Sequence, residues 1–294
     1  MTTRSTRSAR SGHVVAIVAV LTAASGILAA AIAVATASVI HGSGAVRVWL
    51  TAWPILDAAA LVATFERRSP LWGRIVSRGR PRSPAIALTF DDGPTEPYTS
   101  QILDVLRAFD ARATFFVLGA RAAAAPAPLT RAVADGHEVG NHTWDHAALP
   151  LATPRVIRAT IRRTSDLVER VAGVRPRVFR APFGWRNPWL GRVARSEGCE
   201  PIAWTVGVYD TDRPGAAVIE RRVAEGLKDG AIVLLHDGRS FDDHPDSSQV
   251  VEALPGILRE ARRRGLRLLT VSELLSEGGQ QRSSASNRRE PCGE

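Results

Sequence analysis

From Ser83 to about Ser276 the chain alternates short apolar runs with amphipathic stretches, and few folds accommodate that alternation. The apolar runs occupy residues 85–90, 113–118, 137–140, 178–180, 202–206, 231–235 and 266–271, each of strand length. Helical patterns lie between them at 99–109, 154–171, 216–227 and 250–264. Thr153-Pro154 is a good helix start, a capping hydroxyl followed by Pro in the first turn. Alternating strands and helices predict an α/β fold with a parallel sheet, open or closed into a barrel. In such barrels the chemistry gathers at the C-terminal ends of the strands.

Those ends are unusually polar. The first strand runs into Asp91-Asp92-Gly93-Pro94 and the third into Asn141-His142-Thr143-Trp144-Asp145-His146. The fourth ends in Arg180-Ala181-Pro182-Phe183-Gly184, Tyr209-Asp210 follow Trp204, and the sixth ends in Leu235-His236-Asp237. A parallel sheet brings all of these to one face. His142 and His146 are four apart, and on a helical turn that spacing puts both rings on one side, with Cβ atoms about 5–6 Å apart. Neutral imidazole suits zinc and related metals, and Asp91 or Asp92 can supply a carboxylate ligand. Alone, the pair is equally readable as two surface histidines, and Asp-Asp-Gly-Pro as a plain turn. Successive residues of a strand point in opposite directions, so one aspartate can bind metal while the other faces a reacting water. Arg180 can keep a neighbouring Asp ionised, or form a surface ion pair of little value. His236 is either a proton donor near neutral pH or a structural His.

In these motifs and their order, the chain resembles the NodB-like polysaccharide deacetylases, also called carbohydrate esterase family four. The matching pieces are Thr89-Phe90-Asp91-Asp92-Gly93-Pro94, His142-Thr143-Trp144-Asp145-His146, Arg180-Ala181-Pro182-Phe183-Gly184, Trp204 through Asp210, and Leu235-His236-Asp237. The resemblance implies a distorted barrel of about seven β/α units over 83–276. It implies hydrolysis of the N-acetyl group of sugars in peptidoglycan, chitin-like polymers or exopolysaccharide, with release of acetate. It makes Asp92, His142 and His146 the ligands of a divalent ion, Zn²⁺ first, with Co²⁺, Ni²⁺ or Mn²⁺ as alternatives. Asp91 becomes the general base with Arg180 as its orienting partner, and His236 the general acid held by Asp210. The Phe183 N–H would help hold the oxyanion, and Leu235 would line the pocket for the acetyl methyl. Two positions depart from the family's habit. Thr211 stands where an aromatic often follows the Asp of the fourth motif, and Gly207 where a polar residue is common. Trp185, Trp189 and Tyr209 are candidates either for stacking on a sugar or for packing in the core.

The net charge of +9 suggests nucleic-acid binding until its distribution is read. Residues 1–13 carry +3 and residues 66–82 carry +5, whereas 83–276 hold 25 basic and 24 acidic side chains. The basic excess flanks apolar segments, which fits a membrane boundary and no nucleic-acid partner. Val14 to Ile40 contains no charged residue and is long enough to span a bilayer. A basic N-terminus (1–13) before a transmembrane anchor (14–40) predicts a domain outside the cytoplasm. A cleaved signal peptide is the alternative, with Ala35-Thr36-Ala37 as cleavage site. A second apolar stretch, 48–65, opens a linker (41–82) that ends in Arg67, Arg68, Arg74, Arg78, Arg80 and Arg82. If it also spanned, the domain would face the cytoplasm, but Asp57 in its middle makes spanning costly. Placement beside a bilayer brings in a lipid-linked amino sugar as alternative substrate, and a catalytically dead carbohydrate-binding module is the alternative outside catalysis. Residues 277–294 read as a disordered tail. Two cysteines, Cys199 and Cys292, make no disulfide framework.

Overall fold

Burial decides which runs become strands. Ala85–Asp91 (β1) is buried at all seven positions, the pattern of a strand covered on both faces. Thr114–Val117 (β2), Glu138–Asn141 (β3), Val178–Phe179 (β4), Glu200–Pro201 (β5), Val206–Gly207 (β6) and Ile232–His236 (β7) join it in one sheet. The computed structural model describes residues 56–66, 71–240 and 245–286. Within it the sheet order is β5-β4-β3-β2-β1-β7-β6, with every neighbour parallel, and Arg267–Leu268 (β8) pairs with the start of β1. The result is a curled half-barrel of seven parallel strands.

Strand parity separates two apolar layers. Ala85, Ala87, Phe116 and Ile232 face the concave side, while Ile86, Leu88, Phe90, Phe115, Val117, Val233 and Leu235 pack under the helices. Those helices are Tyr98–Ala108 (α1), Gly119–Ala124 (α2), Pro126–Ala134 (α3), Pro154–Ala172 (α4), Leu190–Ser196 (α5), Ala216–Gly226 (α6), Ser248–Arg263 (α7) and Val271–Ser286 (α8). In α4, Thr153 Oγ1 accepts from Val156 N–H, Pro154 opens the first turn, and Gly173 closes the helix in the left-handed region.

The structure differs from sequence expectation in three places. The strand expected at 202–206 is interrupted: β5 ends at Pro201 and β6 begins at Val206. Between them the backbone leaves the ladder because Ala203 donates to Val76 O at 2.8 Å and accepts from Arg180 at 3.3 Å. The boundary expected at 276 falls inside α8, because Glu277 pairs with Arg267 at 2.8 Å and accepts from Arg82 N–H. Helices α2, α3, α5 and α8 have no counterpart among the helical patterns read from periodicity. The N-terminal span at 14–40 and the end of the tail at 287–294 lie outside the described residues. Of the apolar stretch from Val48, residues 56–65 are described and helical. No helix among the described residues is long and apolar enough to cross a membrane.

Packing between β2 and β3 is tight enough to test. A Cβ on Gly140 would lie 2.5 Å from Phe116 Cδ1, on the concave side beneath the site. Gly140→Ala is expected to cost roughly 1–3 kcal/mol. Urea unfolding checks it, and an unchanged midpoint would contradict this packing.

Candidate active site

The parallel register brings the polar strand ends together. Asp91 on β1 lies directly beside His236 on β7. Asp92 follows with φ 74, in the left-handed region, and both carboxylates come near His142 Nε2, Asp91 Oδ2 at 3.8 Å and Asp92 Oδ1 at 3.4 Å. On the other side of β1, the β3 strand delivers His142. Asp92, His142 and His146 are all buried, and their ligand atoms lie within 4.8 Å of one another. Asp92 Oδ1 is 3.4 Å from His142 Nε2 and 3.3 Å from His146 Nε2.

The histidine pair converges without the expected helical turn. Residues 142–146 form a loop in which Thr143 has φ 71 and His146 φ 60, and the two rings sit 5.0 Å apart. Asn141 fixes this loop. Its amide donates to Ile161 O and Ser165 Oγ on α4, and its Oδ1 accepts from Thr143 N–H. Thr143 Oγ1 in turn accepts from His146 N–H at 3.1 Å. No motif assigned Asn141 a role; its place at a buried strand end next to His142 was the available signal.

The donor set fits a divalent metal. Asp92 Oδ1 is buried and accepts no hydrogen bond, a state that costs free energy unless a cation or donor meets it. His142 Nδ1–H donates to Arg180 O at 2.8 Å, which leaves the Nε2 lone pair facing Asp92. Burial alone would raise the Asp92 carboxyl, but His142 and His146 hold it well below the usual carboxylate range. Burial pushes His146 down to about 3, so it stays neutral and able to ligate. Burial also acts against charge on His142, but Asp91 and Asp92 outweigh it and raise that ring.

Two further pairs flank this group. Arg180 is fully buried, and its Nη1 donates to Asp91 Oδ1 and to Thr89 Oγ1, each at 2.7 Å. Its guanidinium lies over the Phe116 ring, 4.1 Å from the centroid. Across the site, Asp210 accepts from the His236 backbone N–H at 2.8 Å and from Nδ1 at 3.0 Å. That leaves the Nε2 edge of a half-buried ring for chemistry. Burial opposes charge on His236, but Asp210 and then the Asp92 and Asp91 carboxylates raise it to about 10. A divalent cation beside Asp92 acts in the opposite direction.

Phe183 has φ 59 and sets its ring edge on His146 at 4.7 Å. Leu235 does not line the pocket. It is fully buried in the layer beneath the helices, because side chains alternate along β7. Leu234, two residues before His236, shares that histidine's face. Trp185 packs on Phe183 at 4.5 Å, whereas Tyr209 is 70% exposed. Gly207 is explained by closeness: a Cβ there would lie 2.8 Å from Trp204 Nε1.

The family model for polysaccharide deacetylases matches residues 78–202. A peptidoglycan-N-acetylglucosamine deacetylase of Bacillus cereus is 38% identical over 192 residues, covering 65% of this chain and 87% of that protein. The chain belongs to the polysaccharide deacetylase family. A chitooligosaccharide deacetylase of Bradyrhizobium is 36% identical over 198 residues, covering 65% of this chain and 90% of that protein. The solved structure of the peptidoglycan deacetylase PdaC from Bacillus subtilis superposes with a TM-score of 0.62 at 36% identity, covering 71% of this chain and 98% of that one. A family pseudoenzyme from Bacillus anthracis also superposes, with a TM-score of 0.64 at 28% identity over 71% of this chain and 70% of that one. The site residues Asp91, Asp92, His142, His146, Arg180 and Phe183 lie within the family match, and Asp210, Leu234 and His236 lie beyond it.

The His236–Asp210 pair gives a pH test. With its folded value raised from about 6.5 to about 10, His236 contributes its full stabilisation below about pH 6.5. The contribution declines as pH rises and is gone above about 10. The stability difference between wild type and Asp210→Asn is expected to be largest near pH 6 and to shrink toward pH 10. Urea unfolding at the two pH values checks it, and a pH-independent difference would contradict the pairing.

Proposed function

We propose that this chain removes N-acetyl groups from β-linked N-acetylglucosamine glycans, with peptidoglycan as the first substrate and chitin-like oligomers as the second, using a divalent ion, preferably Zn²⁺. The observation that carries the proposal is the grouping of three buried ligand residues with a carboxylate on one side and a histidine on the other. The substrate class follows the relatives from Bacillus cereus and Bradyrhizobium. Zinc is favoured by two imidazoles and one carboxylate, which is a common catalytic set with open positions.

Asp92, His142 and His146 would hold the ion, which when bound polarises the acetyl carbonyl and acidifies water. Asp91, oriented by Arg180, takes a proton from the attacking water as its oxygen bonds to the carbonyl carbon. The Phe183 backbone N–H, aimed by the left-handed conformation of that residue, helps hold the oxygen on which negative charge develops. His236, charged and steered by Asp210, delivers a proton to the sugar nitrogen as the C–N bond breaks. Acetate and a free amine result. Leu234 replaces Leu235 as the apolar side chain on the face of β7 that meets the acetyl methyl.

We further propose that the domain is membrane-anchored through residues 14–40 and works outside the cytoplasm. The charge-free length of that stretch and the arginines before it support this placement. Assembled wall glycan is then within reach.

Purified chain is expected to release acetate from chitooligosaccharide or peptidoglycan fragments, to lose this activity to a chelator, and to regain it with Zn²⁺ or Co²⁺. Asp91→Asn is expected to lower kcat by roughly 10²–10⁴-fold while metal content stays unchanged. Full activity in that variant would remove Asp91 as base, and no acetate from any acetylated sugar would favour a binding module.

A further inference from the structure

Residues 56–66 precede the matched family region, yet they end against the active-site loop. The contact is built rather than incidental. Arg186, which is 1% exposed, donates from its backbone N–H to Thr64 O at 3.0 Å and from Nη2 to Glu66 O at 2.9 Å. A guanidinium is well suited to the last carbonyls of a helix, where the backbone leaves acceptors without partners. Trp72 Nε1–H donates to Thr64 Oγ1 at 3.2 Å, and Ala63 is fully buried. The helix end is thus fixed by hydrogen bonds to the residue that follows Trp185.

One side chain of the segment reaches further. Phe65 places its ring edge on Trp185, with centroids 5.2 Å apart and planes at 84°. Trp185 lies on Phe183 at 4.5 Å, and Phe183 lies on the ligand His146 at 4.7 Å. The rings of Phe183 and Trp185 remain half-buried, so part of each still faces solvent beside the ligand residues. Asn187 holds the far side of the same loop, with its amide donating to Leu149 O and Ala152 O. Among the described residues, the rings of Phe65 and Phe183 both pack on the Trp185 indole.

We propose that Phe65 is a positioning residue for the glycan site: the segment before the deacetylase domain supplies the outer support of an aromatic wall, Trp185 on Phe183, against which a sugar ring packs. This rests on the glycan substrate proposed above. A tether segment that also shapes the binding wall couples how the chain is anchored to how well it holds substrate.

The test is the Kd for chitooligosaccharide, measured by calorimetry on the full-length, chelator-treated chain so that turnover does not intrude. Phe65→Ala is expected to weaken binding roughly 3- to 10-fold, the loss of one aromatic contact. Phe65→Tyr, which keeps the ring, is expected to bind as wild type, a rescue that a general loss of stability would not produce. If the alanine variant does not accumulate, Phe65→Leu carries the test and its Kd must also rise. Wild-type affinity in Phe65→Ala or Phe65→Leu, or no glycan binding by the wild-type chain, would overturn the proposal. Acetate release by the zinc-loaded wild type is scored separately. Its absence would remove the deacetylase chemistry while the binding comparison stands on its own.

Discussion

Arg180 ties the site together from both ends of one residue. Its side chain, fully buried, holds Asp91 on β1, and its carbonyl orients His142 at the end of β3. A charge taken out of water so completely persists only with a partner, and removing one member of such a pair costs about 3–5 kcal/mol. Burial works against the charge on Arg180, and Asp91 opposes that effect. Thr89 and the Phe116 ring complete its surroundings. Asp91, the proposed base, and His142, a proposed metal ligand, are therefore both held by one residue. That coupling explains why the polar strand ends form one constellation instead of several independent surface clusters.

Much of this was legible before the structure. Apolar runs bounded by turn residues gave the strands, and a parallel sheet with its polar residues at one end was enough to place Asp91, Asp92, Arg180 and His236 together. What the pattern could not give was local backbone. The HxxxH spacing fits a helical turn, but Asn141 and Thr143 capture the backbone of this loop and bring the rings together by another route. Ile202–Val206 reads as one apolar run, yet hydrogen bonds to Val76 and Arg180, both remote in sequence, break it into a link between two strands. Leu235 faces the layer beneath the helices and not the site, since in a strand one residue is a change of face. Counting by twos from His236 would have pointed to Leu234.

The docking of 56–66 was hidden for a different reason. Its partners Trp185 and Arg186 lie more than a hundred residues downstream, and nothing in either segment signals the other. Apolar character in 48–65 was readable only as a membrane or interface preference. The structure shows that its last turn also has protein to pack against, at the edge of the site. The family match, the solved relatives and the geometry agree on the deacetylase domain, and this segment lies before the residues that the family model matches.

On this reading Asp92, His142 and His146 together grip one divalent ion. Anomalous diffraction at the zinc edge from crystals of the zinc-loaded chain tests it most directly. The expected result is one strong peak at roughly 2.0–2.2 Å from Asp92 Oδ1, His142 Nε2 and His146 Nε2. A peak elsewhere, or none in crystals grown with excess zinc, would contradict the account.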